Sequence, residues 1–315
     1  MLLPILAGQE QKHILEYKYK KFMKKYSVKI NKKFGFKQIF PTPSVTEINK
    51  FYNKIFYSKN FKNFNNSSLK VQRSDKFFFD SKWDSINTNL KIFLKHKRNN
   101  ISILDIGCGW CQCLIYLKKK GFDCYGFDPS KESVLYGLKY GIKVKHAGMD
   151  KVDVFEGKKF NVVILNNVLE HLIDPESTLK QIKKILKPKG IIIIEVPNDF
   201  NDFQIIGKKI HKLKQWWVSP PAHLNYFSKE TLSKLINYLG FKVLLSHSSF
   251  PLEIFLLFGE NYISDPKIGK ICHKKRVFFE KNLIKYGKIK LLNDFYKSLA
   301  ELNLGRTITL YAQIK

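Results

Sequence analysis

Two points of the chain carry residue types that together can bind a nucleoside. Residues 103–109 read Ile-Leu-Asp-Ile-Gly-Cys-Gly, an apolar strand that runs into Gly107 and Gly109, and Asp128 stands 21 positions after Gly107, at the end of the next apolar run. Glycines let the backbone approach a ligand closely, and a carboxylate can accept hydrogen bonds from two ribose hydroxyls. The spacing therefore predicts a nucleoside-binding edge at the ends of two strands.

The residues around the glycine turn discriminate between nucleoside cofactors. A dinucleotide fingerprint requires a third glycine at position 112, where this chain has Gln112. Asp105, two residues before Gly107, would repel a phosphate, whereas it suits a cationic or amino-bearing ligand. Both departures favour S-adenosylmethionine over NAD.

Five cysteines raise the question of a metal site or a disulfide. Four of them, Cys108, Cys111, Cys113 and Cys124, fall within one loop-and-strand unit. No fourth ligand lies at a fitting spacing beside the first three, so we predict no metal and expect small side chains that pack around the loop. Free thiols indicate a reducing, cytosolic setting.

Composition indicates a packed globular protein with an unusual charge. Hydrophobic residues make up 44% of the 315 residues, and 56 basic against 26 acidic side chains give a net charge of +30. Nearly all the basic residues are lysine, while arginine is the usual residue for reading bases and clamping phosphates. The excess is typical of biased genome composition, and a nucleic-acid partner is disfavoured.

The same composition predicts a cytoplasmic protein. No uncharged apolar stretch is long enough to span a bilayer, and the apolar start at residues 1–8 lacks the basic region of a signal peptide. The apolar run Phe250–Phe258 is compatible with a peripheral membrane contact, although a buried helix explains it better.

The first 98 residues predict a mainly helical region that closes over the site as a lid. Helices are expected at 9–28 and 75–97, with an Asn/Ser-rich link at 60–68. A further helix should begin at Ser44, with Glu47 completing a capping box, and run to about Tyr57.

From Ile101 the pattern changes to apolar strands that alternate with helices, which predicts a mostly parallel sheet covered on both faces. We predict a domain over 99–315 with a helical insertion at about 248–304. The expected strands are 101–106, 122–127, 142–146, 160–166, 191–196, 241–245 and 307–314, and the expected helices are 110–120, 130–140, 174–186 and 228–239.

Four motifs stand at the strand ends in one order along the chain: Asp105-x-Gly107-x-Gly109, Asp128, Asn166-Asn-Val-Leu-Glu170-His171 and Leu186-Lys-Pro-Lys-Gly190. This order resembles class I S-adenosylmethionine-dependent methyltransferases, over about 101–245 and 305–315. The resemblance implies an α/β, Rossmann-like fold with an antiparallel last strand.

The resemblance also assigns roles to the residues of the cofactor site. It implies that Gly107, Cys108 and Gly109 line the methionine part and that Asp105 faces its amino group. Asp128 would bind the ribose, Met149 would line the adenine, and Asn166 would offer its backbone.

The segment Pro220-Pro-Ala-His223-Leu-Asn-Tyr226-Phe-Ser228 is similar to one found in methyltransferases of bacterial sugar and surface-polysaccharide biosynthesis. The resemblance implies a nucleotide- or lipid-linked sugar, or a related glycan precursor, as the small-molecule acceptor. Ala222 stands where sugar C-methyltransferases have a glutamate, which favours O- or N-methylation over C-methylation.

Two histidines are candidate catalytic residues. His223 is either a general base or a structural histidine that bonds a neighbouring backbone group. His171 follows the fourth strand beside Glu170, close to where the acceptor should lie, and two such ligands are too few to predict a metal. Tyr226 and the pair Trp216-Trp217 either form an acceptor wall or pack in the core.

Three alternatives stay open. The core motifs overlap with those of quinone-type small-molecule O-methyltransferases. An RNA or DNA methyltransferase would fit the charge, but base-amine methyltransferases usually show Asn/Asp-Pro-Pro-aromatic after the fourth strand, where this chain has Asn166-Asn-Val-Leu. A non-catalytic binding module of the same fold is the third alternative.

Overall fold

The computed structural model describes residues 26–51, 69–94 and 101–315. Two sheets and the helices around them make up this part of the chain. The strands are β1 (Ser27–Ile30), β2 (Lys37–Phe40), β3 (Ser102–Ile106), β4 (Asp123–Asp128), β5 (Lys143–His146), β6 (Phe160–Asn166), β7 (Leu186–Pro197), β8 (Asn225–Tyr226), β9 (Phe241–Ser248) and β10 (Thr307–Ile314). The helices are α1 (Val45–Phe51), α2 (Leu69–Ser74), α3 (Lys76–Leu94), α4 (Gln112–Lys119), α5 (Lys131–Lys139), α6 (Pro175–Ile185), α7 (Asp202–Ile210), α8 (Lys229–Tyr238), α9 (Ile254–Leu257), α10 (Pro266–Lys285) and α11 (Ile289–Glu301), with a 3₁₀ turn at Leu169–His171.

The larger sheet has seven strands in the order β5-β4-β3-β6-β7-β10-β9 and is mostly parallel, with antiparallel strands from the C-terminal part of the chain. Every residue of β3 is buried, as are five of the six residues of β4 and five of the seven of β6. Strands buried on both faces need helices on both sides, as the alternating pattern predicted. The α/β, Rossmann-like fold class is confirmed.

The described residues fall into two compact units. The first unit comprises the described residues of Met1–Phe56, Glu195–Leu235 and Leu245–Leu310. The second unit comprises the described residues of Tyr57–Ile194, Ile236–Leu244 and Tyr311–Lys315. We call them the hairpin unit and the nucleoside unit.

The hairpin unit contains a small sheet that the sequence did not predict. The strands β1 and β2 form an antiparallel hairpin, and β2 also pairs with β8 through Lys37–Tyr226 and Gln38–Asn225. The predicted helix at 9–28 is therefore wrong at its end, because residues 27 and 28 belong to β1; residues 9–25 lie outside the described part. The helix α7 was also missed.

The capping box at Ser44 is confirmed. The Glu47 backbone amide donates to Ser44 Oγ (3.2 Å), and the Ser44 amide donates to Glu47 Oε2 (2.8 Å). The helix that it begins runs over Val45–Phe51. Its predicted continuation to Tyr57 and the predicted link at 60–68 lie outside the described residues.

In the nucleoside unit, α3 matches the helix expected at 75–97 as far as residue 94, and the short helix α2 before it was not predicted; residues 95–100 are outside the described part. Tyr116 of α4 donates a hydrogen bond to Asp84 of α3 (2.9 Å). This contact links the helix before the sheet to the first helix that covers it. Within the described residues, no helix has both the length and the apolar character to cross a membrane.

Candidate active site

The central strands of the nucleoside unit create a crevice at their carboxyl ends. The strand β3 pairs in parallel with β4 on one side and with β6 on the other. Ligands of open α/β sheets bind where the strand order reverses in this way. The predicted residues Asp105, Asp128 and Asn166 lie at this edge, on β3, β4 and β6 respectively.

The loop after β3 requires both of its glycines. Gly107 has φ +67°, and a Cβ there would lie 2.8 Å from Val168 Cγ2 and 3.3 Å from Met149 Sδ. The structure thus brings the predicted residues Gly107 and Met149 together. Gly109 has φ +49°, and a Cβ there would meet no atom within 4 Å, so the backbone faces open space that a ligand can enter.

Asp128 links this loop to the next turn. Its Oδ2 accepts a hydrogen bond from the Gly109 amide and its Oδ1 accepts one from the Ser130 amide, both at 2.8 Å. Burial raises the pKa of Asp128, and the two amide donors oppose that rise. Each carboxylate oxygen keeps a second lone pair, so a fixed Asp128 can still accept hydrogen bonds from a ribose.

Asp105 is a buried carboxyl group with an unsatisfied oxygen. It is 3% exposed, and its Oδ1 has no hydrogen-bond partner among the described residues. Burial and the negative charge of Asp128 raise its pKa to about 8, while Lys82 opposes the rise. A buried oxygen without a donor fits a ligand that brings one, as the amino group of S-adenosylmethionine would.

Lys82 is a residue of this edge that the sequence did not reveal. Its Nζ lies 3.0 Å from Asn166 Oδ1, which also accepts from Asn167 Nδ2 (3.1 Å). The side-chain oxygen of Asn166 is therefore occupied by protein donors. A single lysine in so lysine-rich a chain carries no sequence signal of its own.

The cysteines of the loop fill space beside β4 and α5. The sulfurs of Cys108 and Cys111 are 3.5 Å apart, and this contact and burial raise the pKa of Cys108 well above its usual value. A Cβ at Gly126 would lie 2.9 Å from Cys108 Sγ, and one at Gly137 would lie 2.6 Å from Cys111 Sγ. The two thiols thus occupy the space that the missing side chains of Gly126 and Gly137 leave.

His171 belongs to the 3₁₀ turn that follows β6. Its Nε2 lies 3.6 Å from Oε1 of Glu170, which is 1% exposed, while the His171 side chain is 14% exposed. The turn places a partly accessible imidazole beside a buried carboxylate in the nucleoside unit.

His223, the other candidate, belongs to the hairpin unit and sits in a rigid buried loop. Among the described residues 219–227, His223 is the only one that is not buried. The Tyr226 hydroxyl accepts from the Ser219 amide (3.2 Å) and donates to the His223 carbonyl (3.1 Å), so it braces the loop across its ends. His223 Nδ1 lies 3.9 Å from Asp199 Oδ2.

The aromatic residues offered as an acceptor wall pack in the core. Tyr226 and Trp217 are each 3% exposed. Both rings meet Phe200 edge-to-face, at centroid distances of 5.4 and 5.6 Å. Trp216 packs against the buried cluster that contains Phe255. Core packing, the alternative left open above, accounts for these residues.

Comparison with known proteins decides the family. A family model described as a methyltransferase domain matches residues 81–246, which is more than half of the chain. The chain belongs to this methyltransferase domain family. Membership makes S-adenosylmethionine the cofactor, and the glycine turn, Asp105 and Asp128 fit it.

Curated relatives share only the core. The ubiquinone biosynthesis O-methyltransferase of Rickettsia prowazekii is 28% identical over 137 residues, which cover 41% of this chain and 54% of that protein. The enzyme of the same name from Pelagibacter ubique is 29% identical over 163 residues, 46% of this chain and 67% of that protein. The match with the first of these relatives thus spans only about half of that protein's length.

A solved structure resembles more of the chain. The plantazolicin methyltransferase BpumL in complex with SAH covers 85% of this chain and 94% of its own, with a TM-score of 0.51 and 15% sequence identity. At that identity the likeness shows the fold alone.

Proposed function

We propose that this protein methylates a hydroxyl group of a small-molecule acceptor, with His223 as the general base. Bound S-adenosylmethionine supplies an electrophilic methyl group on a sulfonium. The protein's own residues must hold the donor, present the acceptor and remove the hydroxyl proton as the oxygen attacks. Asp105, Gly107, Cys108, Gly109, Asp128, Met149 and Asn166 hold the donor, and His171 lines the acceptor side.

The partial exposure of His223 carries the proposal. A histidine with a purely structural role is expected to be buried with its loop, whereas this loop buries every neighbour and leaves the His223 side chain 18% exposed. Neutral imidazole can take a proton near neutral pH. The loop thereby presents a base on a rigid support.

A phenolic, quinone-type acceptor is the favoured substrate class. The curated relatives are named for ubiquinone biosynthesis. A phenol, with a pKa near that of tyrosine, about 10, gives its proton to imidazole more readily than an aliphatic alcohol does. The burial of Tyr226 and Trp217 also removes the stacking wall expected for a sugar.

A sugar or glycan precursor is the second candidate. It rests on the sequence of Pro220–Ser228 around His223, which resembles a segment of sugar methyltransferases. Methyl transfer to both acceptor classes can be measured with the same purified protein.

The test is methyl transfer from labelled S-adenosylmethionine to a catechol and to a nucleotide-linked sugar. We expect product from the catechol, and His223→Ala to lower its turnover by about 10²- to 10⁴-fold while cofactor affinity is kept. His211→Ala is the control, because that histidine bonds the Leu256 carbonyl (2.8 Å) outside the loop. Product from the sugar alone would overturn the phenol assignment, and undiminished turnover in His223→Ala would remove the base.

A further inference from the structure

A buried polar network reaches His223 within the hairpin unit. The Asp199 side chain is 7% exposed, and its two oxygens have different neighbours. Its Oδ1 accepts a hydrogen bond from Gln204 Nε2 (3.0 Å), and its Oδ2 lies 3.9 Å from His223 Nδ1. One oxygen is thus held by an amide while the other faces the imidazole.

Gln204 is itself held rigidly. Its side chain is 0% exposed, and the side-chain Oε1 accepts a hydrogen bond from the Phe200 backbone amide (2.7 Å). The backbone amide of Gln204 donates to Asn201 Oδ1 (3.0 Å). Because its side-chain oxygen and its backbone amide are both hydrogen-bonded, Gln204 cannot turn its side-chain Nε2 away from Asp199. The carboxylate is therefore oriented before any substrate binds.

The network continues to a second carboxylate and an arginine. Gln204 Nε2 also lies 3.4 Å from Oε1 of Glu253, which forms an ion pair with Arg306. If Asp199, Glu253 and Arg306 are ionised, the three groups together carry a net charge of −1 while His223 is neutral. Protonation of His223 would balance that charge, and buried charges gain most from such balance.

The state of Asp199 agrees with this arrangement. Burial alone would raise the pKa of Asp199, but His223, Arg306 and Gln204 together hold the pKa below its usual value. The carboxylate is thus ionised near neutral pH, and an ionised Asp199 can accept a hydrogen bond from a protonated Nδ1.

We propose that Asp199 is a positioning residue for His223: it holds the neutral ring in the Nδ1–H tautomer and stabilises the imidazolium that forms on proton transfer. This inference rests on the proposed role of His223 as base. When Nδ1 carries the hydrogen, Nε2 keeps its lone pair for the acceptor hydroxyl. The proton then moves from the acceptor oxygen to Nε2, and the charge that appears on the ring faces a carboxylate.

The first test compares three variants. Asp199→Asn keeps the shape and removes the charge, so we expect kcat to fall about 10- to 100-fold with little change in the KM for S-adenosylmethionine. The double variant with His223→Ala should be no slower than His223→Ala alone, because Asp199 acts only through the ring. Asp202→Asn is the control, since that exposed carboxylate begins α7 beside the network.

The second test needs no change in the network. Nitrogen NMR of the ring in the unaltered protein, with His223 identified among the eight histidines by its loss in His223→Ala, should show Nδ1 protonated and Nε2 unprotonated in the neutral form. The tautomer is read directly, so the inference stays testable even if Asp199→Asn lowers the melting temperature.

The outcomes separate the two proposals. Undiminished turnover in His223→Ala refutes the base. A large loss in His223→Ala combined with normal kcat in a folded Asp199→Asn refutes the positioning role and leaves the base intact. An Nε2–H tautomer, or an additive loss in the double variant, also refutes the positioning role.

Discussion

At the residue scale, the environment of each carboxylate sets its protonation. Asp128 accepts hydrogen bonds from two backbone amides, whereas Asp105 is buried next to Asp128 and one of its oxygens has no donor in the described part of the chain. Amide donors stabilise the charged form of Asp128, and burial without them favours the neutral form of Asp105. The same residue type can therefore bind the ribose hydroxyls at position 128 and accept a cationic group at position 105.

The variant Asp128→Asn tests whether Asp128 binds the ribose of the cofactor. The amide keeps the shape but turns one acceptor into a donor, which would face the amide of Gly109 or Ser130. We expect affinity for S-adenosylmethionine, measured by calorimetry, to fall about 10- to 100-fold. Asp123→Asn at the other end of β4 is the control, and unchanged affinity in Asp128→Asn would contradict the assignment.

Asp105 should make the stability of the ligand-free protein depend on pH. Its pKa is about 8 in the folded state against an ordinary value of 3.8, so the folded state binds the proton more tightly than the unfolded state. The stabilising contribution is complete below the unfolded pKa and is lost as the pH rises through the folded pKa.

The measurement is urea unfolding at about pH 5 and about pH 8. We expect the free energy of unfolding to fall more between these two values in the unaltered protein than in Asp105→Asn. An equal fall in both proteins would show that Asp105 is not protonated in the folded state at the lower pH.

At the scale of elements, the cofactor loop is fixed by close packing of β4 against α4. A Cβ at Gly126 would lie 2.7 Å from Leu114 Cδ1 and 2.9 Å from Cys108 Sγ. The strand and the helix approach this closely only because the strand has no side chain there. The same approach places Cys108 against the strand that ends in Asp128.

Gly126→Ala should push these elements apart. We expect a loss of about 1–3 kcal/mol in the free energy of unfolding, as is usual for overpacking, together with weaker cofactor binding. Gly269→Ala in α10 is the matched control, because its nearest contact would be an ordinary 3.5 Å and alanine favours a helix. A stability loss no larger than in the control would show that the packing can yield.

The element scale also shows where sequence patterns fail. The hairpin strands β1 and β2 hold four residues each, and Ile39 is the only one of these eight residues that is buried, so the strands are too short and too little buried to give a clear sequence signal. The strand β2 is completed by β8, far along the chain, which is a pairing that local periodicity does not encode. In contrast, the capping signal at Asn201 was present, since its side chain accepts from the Gln204 amide at the start of α7.

At the scale of the whole molecule, cofactor binding should stabilise the folded chain. A ligand that binds only the folded state at about 100 times its Kd adds about 2.7 kcal/mol. We expect S-adenosylmethionine to raise the melting temperature by several degrees, NAD to leave it unchanged, and Asp128→Asn to reduce the shift by about half or more at the same concentration. A shift with NAD of the same size would contradict the choice of cofactor.

The amino-acid sequence by itself determined the alternating strands and helices, the glycine turn and the choice of S-adenosylmethionine. These features are local: apolar runs set the burial of each strand, and a positive φ at Gly107 and Gly109 demands residues without a Cβ. The two predicted strands at Phe160–Asn166 and Thr307–Ile314 match the structure residue for residue.

Only the tertiary structure decided which side chains meet. Lys82 and Asn166 are 84 positions apart, and Asp199 approaches His223 across a loop with its own internal hydrogen bonds. It also decided that Tyr226 and Trp217 are buried rather than available to an acceptor. Residue types and spacing predict which strand end a residue occupies, but contacts between distant segments depend on how the chain packs, and packing is set by all segments together.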